Sequence, residues 1–85
     1  MKIDENLKLP EVSLVKTGEK IRELRMGKGV SVDDLCFVLD LNATATLYHW
    51  EKGKNFPSIN NLVKLAKIFD VTVDEILQVE ESEDK

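Results

Sequence analysis

Residues 34–53, DLCFVLDLNATATLYHWEKG, decide the fold. Leu35, Cys36 and Leu39 fall on one face of a short helix. Leu47 and Trp50 stand three apart on a second. Between them Asp40-Leu41-Asn42 allows only a tight junction, with Leu41 as an apolar plug and Asn42 as the expected N-cap. Gly53 supplies the stop. The second helix leaves Ala43, Thr44, Thr46, Tyr48 and His49 as outward candidates. Its β-branched residues give it modest intrinsic propensity, so packing must hold it.

Upstream, Ser31 begins a capping-box-like S-V-D-D, and Asp33 and Asp34 suit the positive end of a helix dipole. Val32 joins the buried face. Phe37 and Val38 are surplus apolar residues, so this helix is either covered on a second side or leaves an exposed patch. Before it, the pattern GEKIRELRMGKG predicts a first helix over residues 18–27, capped by Thr17 and stopped by Gly29. Lys20, Arg22, Arg25 and Lys28 cannot all point inward; they form a solvated face or, in part, contact phosphates. Residues 1–16 hold Pro10 and no sustained period. They read as a loose or extended arm, free or laid against a partner.

Downstream, Lys54-Asn55-Phe56 is a loop, and Pro57-Ser58 leads into a strongly amphipathic helix over residues 59–69. Thr72 and Glu75 form a T-x-x-E capping box for a fifth helix. Its apolar residues Val73, Ile76, Leu77 and Val79, with Phe56, either face a second copy or complete the core. Residues 80–85, EESEDK, form an acidic tail, either a solubilising terminus or a shield over the basic face. The expected organisation is therefore an arm (1–16), an all-α five-helix domain (17–79) and a tail (80–85).

Length and composition narrow the function. Eighty-five residues suit one small domain, whose apolar side chains are mostly committed to a single core. Cys36 is the only cysteine and His49 the only histidine, which excludes an intrachain disulfide and a Cys-rich metal site. Asp33, Asp34 and Asp40 lack the spacing of a calcium loop. No nucleophile constellation or phosphate loop occurs, so neither an enzyme nor a cofactor is expected. No apolar run is long enough to span a membrane, and the expected location is the cytoplasm. The net charge of −4 opposes nucleic-acid binding in sum. The cations gather at residues 16–28 and the anions at 70–85, however, and a ligand meets the local surface.

From Gly18 to Leu77 the chain resembles the helix-turn-helix domain of the lambda repressor and Cro type, the xenobiotic-response-element-like family of bacterial and phage regulators. GEKIRELR, SVDDLCFVL, LYHWEKG and PSINNLVKLAKIFDVTVDEIL carry the resemblance by their order and spacing. Trp50-Glu51-x-Gly53 looks like the family's W-E-x-G ending. The resemblance implies a lambda repressor-like five-helix fold with Leu35, Cys36, Leu39, Leu41, Leu47 and Trp50 at the motif's core. It also implies that the third helix enters the major groove of double-stranded DNA. Thr44, Thr46, Tyr48 and His49 would then read bases. Lys20, Arg22, Asn42, Lys52, Lys54 and Asn55 would hold the backbone. The implied function is sequence-specific transcriptional regulation, with repression as the expected mode and a homodimer as the expected form on DNA. Against the variant that reads L-G-L-x-S-x-Q-A-I-Y-K-W, Asp40 replaces glycine, Ala43 serine, Ala45 glutamine, Thr46 alanine and His49 lysine. The loss of the glutamine and the serine implies weaker base reading. The alternative is an antitoxin or accessory protein-interaction module that keeps the fold as a scaffold.

Overall fold

Ser13 starts the first helix. Its hydroxyl accepts from the Lys16 amide at 3.1 Å, and α1 runs Leu14–Lys28, one turn earlier than the start predicted at Gly18. Thr17 is no cap. It is buried, and its hydroxyl accepts from the Gln78 amide at 3.0 Å. The Ser13 amide in turn donates to the Gln78 carbonyl at 2.7 Å. These long-range bonds commit Thr17 to the far end of the chain and leave Ser13 to cap.

The computed structural model describes residues 2–80. Its elements in chain order are β1 (Glu11–Val12), α1, α2 (Val32–Val38), α3 (Thr44–Glu51), α4 (Ile59–Phe69), α5 (Val73–Ile76) and β2 (Val79–Glu80). The chain is an all-α, five-helix fold in which β1 and β2 pair antiparallel, with Glu11 opposite Glu80 and Val12 opposite Val79. Regular secondary structure therefore begins at Glu11 and reaches Glu80. The predicted tail from residue 81 onward lies outside the described residues.

Ile21, Leu35, Leu47, Leu65 and Ile76 are fully buried, so four of the helices and the single turn of α5 meet in one core. Cys36, Leu39, Trp50, Leu62, Ala66 and Phe69 surround them, and Leu24, Val30, Val32, Leu41, Val73 and Leu77 pack from the rim. On α4 the buried positions Leu62, Leu65, Ala66 and Phe69 follow the i, i+3, i+4 stripe that the sequence shows. Side-chain caps at Ser31, Ser58 and Thr72 fix three helix starts, the last as a full capping box with Glu75.

The packing of α1 on α3 sets the geometry of the motif. At Gly18 a Cβ would lie 2.2 Å from the Trp50 carbonyl oxygen and 2.8 Å from that of Glu51. Only a glycine lets the α1 backbone approach the last turn of α3 this closely. In the α2–α3 junction Asp40 takes φ 57°, a left-handed conformation that favours glycine and that aspartate tolerates better than most residues.

Candidate nucleic-acid interface

The sequence splits α3 into two faces. Leu47, Trp50 and Glu51 are buried, while Thr44, Ala45, Tyr48 and His49 are exposed and Thr46 is half-buried at the boundary. Spacing of i, i+1, i+4 and i+5 places the four exposed residues on one side of the helix. Thr46 thus stands at the edge of the face to which it was assigned. The helix begins one residue later than the Asn42 cap predicts. Ala43 is the N-cap, with extended backbone and no side-chain hydrogen bond. This leaves Asn42 exposed and outside the helix, free of a capping role.

Beyond α3, the Lys52 ammonium lies 5.8 Å from the centroid of the Tyr48 ring. That cation–π distance steadies the exposed phenol and holds the lysine beside the exposed face of α3. Lys54 and Asn55 follow on the exposed loop, their backbone amides both donating to the His49 carbonyl. On α1, Arg22 is exposed, and Lys20 is half-buried with its ammonium 3.6 Å from Glu23.

Arg25 was grouped in the sequence with the surface cations, and the structure gives it another task. Its Nε donates to Glu51 Oε2 at 2.7 Å and its Nη2 to Glu51 Oε1 at 3.1 Å. Its Nη1 donates to the Val30 carbonyl at 3.0 Å. The two side chains are 12% and 4% exposed. Hydrogen bonding to Glu51 raises the Arg25 guanidinium above its ordinary value, against the lowering that burial brings. One forked side chain thus ties α1, the α1–α2 loop and the end of α3 together, as bidentate guanidinium geometry permits. The signal was present in the sequence: Arg25 lies four residues after Ile21, on the same helical face.

The candidate dimer surface divides. Phe56 and Val79 are exposed, and Val73 and Leu77 are half-buried. Ile76 is fully buried and belongs to the monomer core, so its assignment to a dimer surface is corrected. On α2, Phe37 is 87% exposed and Val38 stands open beside it. Of the two readings of these residues, the exposed patch is the one found. Cys36 is buried, and burial pushes its thiol up, with the Asp33 and Glu51 carboxylates acting in the same direction. A raised, buried thiol is a packing residue rather than a nucleophile. Among the described residues no group of three or more His, Cys, Asp or Glu is placed to hold a metal ion, and no helix is long and apolar enough to cross a membrane.

A helix-turn-helix family model matches residues 21–76, which is the span from the core of α1 to the end of α5. The chain belongs to the lambda repressor and Cro-type helix-turn-helix family. It is 40% identical over 63 residues to the HTH-type transcriptional activator BcrR of Enterococcus faecalis. That match covers 74% of this chain and 30% of the relative, so the chain spans about a third of BcrR. The restriction-modification controller protein C.AhdI from Aeromonas hydrophila superposes with a TM-score of 0.66 at 36% identity, over 74% of this chain and 94% of that one. The S. venezulae BldD DNA-binding domain shares the fold, with a TM-score of 0.65 at 22% identity over 78% and 97% of the two chains. Within this helix-turn-helix family the split faces of α3 take on their meaning: the buried face fixes the helix on the core, and the open face is the surface available to a ligand.

Proposed function

We propose that this helix-turn-helix chain binds double-stranded DNA in a sequence-specific manner and regulates transcription by occupying promoter sites. The observation that carries the reading is the open face of α3. Its Thr44, Tyr48 and His49 present hydrogen-bonding groups, and the buried Arg25–Glu51 pair holds the helix rigidly from behind. Base contacts come from Thr44, Tyr48 and His49, with Thr46 at the margin. Arg22, Lys52, Lys54, Asn42 and Asn55, with Lys20 where Glu23 releases it, position the phosphate backbone.

A single module of this size buries little DNA, so useful specificity calls for two copies on a palindrome. Phe56 and Val79, with the rims of Val73 and Leu77, are the residues available for that contact. Repression by promoter occupancy is the proposed mode. BcrR is named an activator, and a promoter–reporter assay decides the sign for this chain. The test of the binding itself is selection from random duplex DNA at two salt concentrations. Enrichment of one palindrome, with affinity falling as salt rises, supports the proposal. Salt-independent or absent binding refutes it.

A second reading draws on Phe37 and Val38. An exposed apolar pair on the helix-turn-helix itself suits a protein partner. In that role the fold serves as the scaffold of an antitoxin or accessory factor. Replacement of both residues by serine leaves DNA selection intact while abolishing regulation in the reporter assay if this reading holds.

A further inference from the structure

The open face of α3 carries no side chain able to make two parallel hydrogen bonds to one base. Thr44, Ala45, Tyr48 and His49 supply hydroxyls, an imidazole and methyl groups, but no carboxamide, guanidinium or carboxylate. The nearest carboxamides, Asn42 and Asn55, lie beyond the two ends of the helix. Lys52 sits against the Tyr48 ring at the far end. The bidentate contacts that mark guanine and adenine in the major groove therefore have no donor set on this face.

What the face does present is a methyl-bearing step. Ala45 is exposed on this face and offers a ligand only its Cβ. Thr44 beside it adds a Cγ2 methyl next to its hydroxyl. Both are exposed in the first turn of α3, the part of a recognition helix that lies nearest the bases. Among the four bases only thymine offers an apolar group in the major groove, its C5 methyl. We infer that α3 selects its site mainly by apolar contact of Ala45 and Thr44 with thymine C5 methyl groups, so that the operator half-site is defined by thymines rather than by guanines. This inference rests on the DNA-binding reading above and narrows it to a ligand class.

The contact has a definite size. Burial of one methyl-sized group accounts for about a fourfold change in affinity. Replacing thymine by uracil deletes that methyl and leaves every hydrogen-bonding group in place. The experiment uses the full chain and the palindrome enriched by selection, with each half-site thymine changed to uracil in turn. Affinity is read by fluorescence anisotropy at fixed salt. The expected result is a loss of about fourfold at one or two thymines per half-site. In the Ala45→Gly variant one of those positions becomes insensitive to uracil, and in Thr44→Ser the neighbouring one does. Circular dichroism confirms that both variants are folded, and sensitivity to uracil that is unchanged in both variants overturns the assignment to Ala45 and Thr44.

Uracil substitution without effect at every position overturns the inference while leaving the DNA-binding reading intact. So does a selected half-site whose invariant bases are guanines. Failure to select any duplex sequence overturns both, and the two failures are distinguished before a single uracil is introduced.

Discussion

Gly18 and Gly27 lie in one helix, and the same substitution at each is expected to move stability in opposite directions. A glycine-to-alanine change inside a helix normally stabilises by about 0.5–1 kcal/mol, because alanine loses less backbone freedom on folding. At Gly27 no heavy atom lies within 4 Å of the added Cβ, so Gly27→Ala keeps that gain. At Gly18 the added Cβ falls 2.2 Å from the Trp50 oxygen and 3.0 Å from the Glu51 carbonyl carbon. These are backbone atoms and cannot rotate aside, so α1 must retreat from α3. Overpacking of this kind costs about 1–3 kcal/mol, and a backbone obstacle puts it at the upper end. Subtraction of the helix gain leaves Gly18→Ala destabilised by about 2 kcal/mol. In a domain of this size that corresponds to a fall in Tm of about 8–16 °C, against a rise of about 2–8 °C for Gly27→Ala. Thermal and urea unfolding followed by far-UV circular dichroism read both. A Gly18→Ala variant with a Tm at or above the parent chain refutes the close approach of α1 and α3.

Glu51→Ala strands the Arg25 guanidinium in a largely buried site and is expected to cost about 3–5 kcal/mol. The double variant Arg25→Met with Glu51→Ala recovers part of that loss in a urea-melt double-mutant cycle with the two single variants, and strict additivity refutes the coupling. Asp40→Gly relieves a left-handed backbone position and is expected to raise stability by up to about 1 kcal/mol; a lower urea midpoint counts against the strain. Cys36 predicts an alkaline limb. Its thiol is raised in the folded state, so the stability it contributes is complete below its ordinary value of 9.0 and is lost as pH rises through the higher folded value. Tm measured from pH 8 upward falls for the parent chain and less steeply for Cys36→Ala; identical slopes refute the assignment. Lys52→Ala is expected to weaken binding evenly across DNA sequences and to reduce the salt slope by about 1. A change in the selected sequence instead would make Lys52 a base reader.

What was legible in the sequence was what neighbours along the chain determine. The i, i+3, i+4 stripe of α4, the Ser31, Ser58 and Thr72 caps and the Gly29 stop depend on residues within one or two turns, and each is found. The misplacements share the opposite cause. Ser13 and Thr17 are both able to cap α1, and local rules favour neither. The choice is made by Gln78, at the other end of the chain, whose backbone takes both the Thr17 hydroxyl and the Ser13 amide. Ile76 has the apolar character of a surface contact or of a core residue, and only the convergence of α1 and α4 on α5 puts it inside. Charge shows the same limit at the candidate site. Summed along α1, Lys20, Arg22, Arg25 and Lys28 make a basic helix that offsets the acidic total. In space, Arg25 is held by Glu51 and Lys20 faces Glu23. The phosphate-facing charge of α1 is therefore smaller than its composition indicates. On the proposed DNA-binding reading, more of the electrostatic grip would fall to Lys52 and Lys54, which follow α3 itself. On that reading the reduction in salt slope caused by Lys52→Ala is expected to exceed that caused by Lys20→Ala, because the Lys20 ammonium already faces Glu23; equal reductions refute the concentration of charge beside α3.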